Sequence, residues 1–179
     1  MEQKVITVQV RLDKPMLRSF ALFDTLRLKK QWKRPALFSV IMLAFSAVCF
    51  LSVGRERSHS LGAVLLLAGV AMPVSYVLTL FNRISEQAKK LKLDIPRNVY
   101  TLAFCDESID LINASRPEAG ARLEWQKMAG AFRVKKAIYL YLTHENAFIL
   151  PEGQATASQD ELWEMIVKNL PEGRAYDKR

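Results

Sequence analysis

PALFSVIMLAFSAVCFLSVG, residues 35–54, and LGAVLLLAGVAMPVSYVLTLF, residues 61–81, decide how this 179-residue chain is read. Neither stretch holds a charged residue. As helices rising about 1.5 Å per residue, each is long enough to cross a hydrocarbon core of roughly 30 Å. Two uncharged runs of this length would overfill so small a soluble domain as core helices. The first begins too far from Met1 to be a secretory signal. Only GRERSHS separates them, and so short a link forces an antiparallel helical hairpin. Pro73 inside the second run removes a backbone donor, and a kink is expected there.

The flanks orient this hairpin. Arg27, Lys29, Lys30, Lys33 and Arg34 precede the first run; Arg83, Lys89, Lys90 and Lys92 follow the second. The link carries Arg55 and Arg57 with Glu56 between them. The positive-inside rule therefore puts both chain ends on the cytoplasmic side and the link outside. The same nine basic residues are the candidate contacts to anionic lipid headgroups. No ionisable side chain lies within either run, so an ion or proton path through the hairpin alone is not expected.

The net charge of +8 suggests nucleic acid until it is divided. Residues 1–93 carry 15 Lys and Arg against 5 Asp and Glu, a net of +10. Residues 94–179 carry 11 against 13, a net of −2. The half free of apolar runs is slightly acidic, which argues against a phosphate-tracking face there. Cys49 and Cys105 lack CxxC spacing and suggest neither a disulfide framework nor zinc.

Residues 1–34 precede the hairpin. In KVITVQVRL (4–12), Ile6, Val8, Val10 and Leu12 alternate with polar residues, the pattern of a half-buried strand. Asp13 is placed to cap a helix with Pro15 in its first turn. Met16, Phe20, Phe23 and Leu26 share a face of that helix, which suits either the membrane surface or the soluble domain. An isolated strand cannot bury its apolar face, so residues 5–12 are expected to join a sheet formed later in the chain.

Beyond the hairpin (35–81), residues 82–97 read as a linker helix ended by Pro96. Six short strands follow, at 98–104, 108–113, 121–127, 131–134, 137–143 and 147–151, separated by turn residues and charges. Ser158 and Glu161 form a capping box for a closing helix whose Leu162, Met165, Ile166 and Leu170 recur at helical spacing. Pro171 and Gly173 stop it, leaving 172–179 as a tail. The expected fold class is an α+β membrane protein: a two-helix hairpin with a small antiparallel sheet closed by one C-terminal helix.

The order of these features resembles the YcxB-like family of bacterial membrane proteins over roughly residues 30–170. The resemblance rests on Trp125, the run Ile138-Tyr139-Leu140-Tyr141-Leu142, then Ala147-Phe148-Ile149-Leu150-Pro151 and a closing helix. It departs at Glu152 and Ala155, where the family typically has a basic residue and an aromatic. It implies that residues 98–171 form a pleckstrin-homology-like domain. It also implies a bacterial inner-membrane location, and it supplies no chemistry.

His144-Glu145, within YLYLTHENAFILP (139–151), is the one candidate for chemistry. A helical zinc-protease motif needs a second His four residues on, where Phe148 stands. His59 belongs to the link, across the membrane by the topology above. No nucleophile signature or glycine-rich phosphate loop occurs. THEN therefore reads as a hairpin tip, with Asn146 suited to positive φ. Leu140, Leu142, Phe148 and Leu150 would face inward from its two strands. Trp125, Tyr139 and Tyr141 are expected to pack the sheet rather than line a groove. No catalytic, cofactor or metal residue is assigned. The expected function is a non-enzymatic, membrane-anchored module that binds a protein, peptide or lipid, or assembles with itself. The competing reading is a membrane-surface enzyme using His144 and Glu145.

Overall fold

The computed structural model of the chain describes residues 5–51, 56–114 and 116–179. It is an α+β protein with two units. One joins the residues up to Met16 to Lys92–Arg179; the other is Leu17–Leu91.

The second unit is helical. α1 (Lys14–Leu22) starts just before it, where Asp13 Oδ1 accepts the Met16 N–H at 2.8 Å, the expected cap. It continues as a π-helical turn, Phe23–Leu28. Leu17 and Phe23 are its buried apolar residues; Leu26, expected on the same face, is exposed. α2 (Lys33–Leu51) and α3 (Glu56–Lys90) are both long and apolar enough to cross a membrane. The link is shorter than the sequence suggested, because Ser58, His59 and Ser60 already belong to α3. The helix continues beyond the second apolar run: α3 runs unbroken past Pro73 as far as Lys90, and the chain then turns before the next strand.

α2 and α3 pack through small residues at seven-residue spacing. Ser39 Oγ donates to the Gly69 carbonyl at 2.7 Å and Ser46 Oγ to the Gly62 carbonyl at 2.8 Å. A Cβ added at Gly69 would meet Leu43 Cγ at 3.2 Å, and one at Gly62 would meet Cys49 Cβ at 3.2 Å. Glycine is what lets the backbones approach closely enough for both hydroxyls to reach across. Each step of seven along α2 is matched by a step of seven backwards along α3, which is an antiparallel register.

Among the described residues the first unit holds eight strands: β1 (Ile6–Leu12), β2 (Arg97–Phe104), β3 (Ser108–Asn113), β4 (Arg116–Glu124), β5 (Gly130–Val134), β6 (Ala137–Tyr141), β7 (Ala147–Pro151) and β8 (Ala175–Asp177). α4 (Gln159–Asn169) precedes the last. They form two four-stranded sheets, ordered β1-β2-β3-β4 and β7-β6-β5-β8, instead of one antiparallel sheet. β1 pairs antiparallel with β2, with Ile6 opposite Phe104. The helical unit is thus inserted between two neighbouring strands. Ile6, Val8, Val10 and Leu12 are all buried, as their alternation requires.

The free edge of β1 is covered by the chain just after β7. Thr156 N–H donates to the Thr7 carbonyl at 2.9 Å, Gln9 N–H to the Gln154 carbonyl at 3.3 Å, and Val8 bridges Ala155. This joins the two sheets and removes an exposed edge. Tyr100 of β2 makes a second connection. Its hydroxyl accepts the Ile149 N–H of β7 at 2.8 Å and donates to the Ile149 carbonyl at 3.2 Å.

Three sequence expectations are corrected here. The strand expected at 121–127 ends at Glu124, and Trp125–Lys127 forms a 3-10 turn. Residues 172–179 do not form a tail: Ala175–Asp177 is a strand parallel to β5, with Phe132 and Tyr176 stacked at 4.9 Å. Gly130 admits it, since a Cβ there would stand 2.9 Å from the Arg174 carbonyl oxygen. Finally, β6 does not alternate. Every residue of Ala137–Tyr141 is buried, because both faces are covered, while Leu142 and Phe148 are only half-buried. α4 keeps its expected form: Ser158 Oγ accepts the Glu161 N–H, and Leu162, Met165, Ile166 and Leu170 are buried.

Candidate functional site

Eight of the nine basic residues of the flanks lie in the helical unit and gather by virtue of its antiparallel register. Lys29, Lys30, Lys33 and Arg34 surround the start of α2, with Arg27 one turn earlier; Arg83, Lys89 and Lys90 occupy the last turns of α3. In an antiparallel hairpin these are the same end. All eight are exposed. Lys92 follows α3, also exposed, with a positive φ of 52°. Asp24 takes up part of this charge through an ion pair with Lys29 at 2.7 Å. The remainder is a collar of long, mobile cations next to two apolar helices. Such an arrangement attracts anionic surfaces without geometric selectivity, and salt screens it.

His144 and Glu145 lie on the exposed turn between β6 and β7. The turn is organised by its neighbour. Thr143 Oγ1 accepts the backbone N–H groups of Glu145 at 3.2 Å and Asn146 at 3.1 Å. Leu142 and Thr143 N–H groups both donate to the Asn146 carbonyl. Asn146 does not take positive φ; among the described non-glycine residues only Lys30 and Lys92 do. The threonine hydroxyl supplies the local bonds that a left-handed asparagine would otherwise be needed to make. Among the described residues no group of three or more His, Cys, Asp or Glu side chains is placed to share a metal ion.

The aromatic candidates are in the core. Trp125 is buried against Phe104, with its Nε1 donating to the Cys105 carbonyl at 3.0 Å. Tyr139 and Tyr141 are buried in β6, and Tyr141 meets Phe132 edge to face. Burial pushes the Tyr139 hydroxyl above the ordinary phenol range.

Sequence reasoning missed Arg133. It sits in β5, buried, and its Nη2 donates to Asp160 Oδ1 at the start of α4. Its guanidinium carbon lies 6.0 Å from the Trp163 ring centroid. Asp160 and Asp177 are drawn below the ordinary carboxylate range, Asp160 chiefly by its bond to Arg133 and Asp177 chiefly by its bond to Arg179. A lone arginine within AFRV gave no sign of burial, because strand position alone does not say whether a face is covered twice.

No family model, curated protein or solved structure matches the chain.

Proposed function

We propose that α2 and α3 form a transmembrane hairpin that anchors a cytosolic, non-enzymatic binding module in a bacterial inner membrane. In this reading the module is the strand-rich unit, a pleckstrin-homology-like domain of YcxB-like type. Its partner is a protein or peptide, or a second copy. One observation carries the anchor. Only 11% of the most apolar 18-residue window of α2, and 6% of that of α3, is buried by the chain itself. Leu37, Val40, Leu51, Val64, Leu67 and Leu78 are all more than half exposed. Core helices of a soluble protein are mostly covered, and apolar surface on this scale left in water marks an interaction surface. A bilayer covers both helices along their length, and the basic collar then meets its headgroups.

Alkaline carbonate extraction and cysteine accessibility test this together. In a Cys49→Ser background, Ser60→Cys should react with a membrane-impermeant maleimide in intact cells. Cys105 should react only after permeabilisation. Release of the protein by carbonate, or labelling of both positions alike, rejects the reading.

A further inference from the structure

The ladder between β1 and β2 breaks once, between Val10 and Arg11. Val10 faces Tyr100, whereas Arg11 faces Asn98, so Val99 is left over as a bulge. The Val99 carbonyl turns to accept the Ala114 N–H at 3.1 Å, drawing the end of β3 towards it. Bulges re-aim side chains. Here the result is an open depression of about 470 Å³, lined by Arg11, Pro96, Asn98 and Ala114.

Arg11 is held in place through its backbone. Its N–H donates to Gln154 Oε1 at 2.7 Å, and its carbonyl accepts from Gln154 Nε2 at 3.0 Å. The Gln154 carboxamide thereby acts as one more strand residue along β1. Among the described residues the guanidinium makes a single bond, Nε to the Pro96 carbonyl at 3.3 Å. Among the described residues no carboxylate pairs with Arg11, and none lines the depression. Arg11 and Asn98, as directly opposed residues on neighbouring strands, present their side chains to one face. A guanidinium fork and an amide donor on a concave surface with no acid among its described residues suit a tetrahedral oxyanion, since the fork binds phosphate with two parallel bonds.

We propose that this depression binds a phosphate group, supplied by an anionic lipid headgroup. The choice of lipid rests on the membrane reading above: Pro96 and Asn98 follow α3 after one short turn, so the chain tethers them to the end of a spanning helix. Unlike the collar, this site binds with geometry: Gln154 and the bulge fix the Arg11 backbone, and the Pro96 carbonyl holds its Nε.

The test uses the full chain in phosphatidylcholine nanodiscs, with and without phosphatidylglycerol, and separately with inorganic phosphate added. The readout is the Arg11 Nε–H and Asn98 side-chain NMR signals. Phosphatidylglycerol should shift both. Arg11→Gln should weaken the Asn98 response about tenfold or more, the size of one lost charge-assisted bond, while Arg11→Lys should weaken it less. Asn98→Ala should weaken the Arg11 response with the fold unchanged by circular dichroism. Shifts with inorganic phosphate alone would overturn the lipid assignment. No shift with either, or an Arg11→Gln response equal to wild type, would overturn the site. Amide exchange across α2 and α3 in the same samples reports the membrane reading independently. Helices protected by the bilayer with no shift at Arg11 mean that the site fails and the anchor stands.

Discussion

The Tyr100 hydroxyl bonds both the N–H and the carbonyl of Ile149, so one side chain does for the outer edge of β7 what a neighbouring strand would do. Among the described residues β7 has a ladder partner only in β6, and its outward backbone groups need partners. Tyr100→Phe removes both bonds at once. We expect a loss of about 1–3 kcal/mol, the cost of leaving buried backbone groups unpaired. Hydrogen exchange at the Ile149 amide should accelerate accordingly. An unchanged rate would show that the phenol is dispensable.

The same tyrosine sets an alkaline limit. Burial raises its hydroxyl far above the ordinary phenol value, an effect that the Ile149 bond only partly offsets. In the unfolded chain it titrates near pH 10, at about its reference value. Between these values the folded state keeps a proton that the unfolded state has lost. This stabilisation is complete below about pH 10 and is lost as the pH rises further. Alkaline unfolding curves should fall less steeply for Tyr100→Phe than for wild type; Tyr139, shifted the same way, leaves some of the decline in place.

Asp160 acts at the opposite end of the scale. Its carboxyl is held low by Arg133, so its stabilisation is present above the ordinary aspartate value of 3.8 and is lost as the pH falls through the depressed value. Asp160→Asn leaves the buried guanidinium without its anion and should destabilise the unit at neutral pH. It should also flatten the acid limb of the unfolding curve. Equal acid limbs for the two proteins would separate Asp160 from that transition.

Within the helical hairpin, sterics should outweigh hydrogen bonding. Ser39→Ala deletes one bond to Gly69 and should cost about 0.6 kcal/mol, as interhelical bonds in bilayers do. Gly69→Ile forces atoms into space already taken by Leu43 and Met42 and should cost about 1–3 kcal/mol. Unfolding in detergent should rank them in that order. The reverse ranking would mean that the serine, and not the close approach, holds the helices together.

At the β6–β7 turn, Thr143 should matter and His144 should not. Thr143→Ala removes an acceptor used by two backbone N–H groups and should cost about 1 kcal/mol. His144→Ala and Glu145→Ala change exposed side chains and should stay within about 0.5 kcal/mol of wild type. A large loss at His144 would revive the pair as a functional element.

The features readable in advance were those carried by neighbours in sequence. The two uncharged runs, the Asp13 and Ser158 caps, and the buried stripe of Leu162, Met165, Ile166 and Leu170 all follow from spacing along one helix. The Ser39, Ser46, Gly62 and Gly69 pattern is of the same kind, small residues at a shared interval along each helix. Of the candidate site residues, the basic collar was legible from hydropathy, whereas Arg133 and Arg11 were not. Arg133 is buried because its strand lies between β6 and β8, and β8 is a segment that reads as a tail. Arg11 lines a depression because Val99 bulges on a strand that begins far along the chain.

By itself the sequence determined the local periods: which residues cap α1 and α4, which runs are apolar enough for a bilayer, and that residues 5–12 alternate. Those properties come from side chains within a turn or two of each other. Only the tertiary structure decided that β1 lies beside β2, that two sheets form in place of one, that 175–177 is a strand, and that β6 is covered on both faces. Each of these depends on backbone pairing between segments far apart in the chain. A strand's hydrophobic pattern states that it needs a partner, and the pairing of distant backbones decides which one it gets.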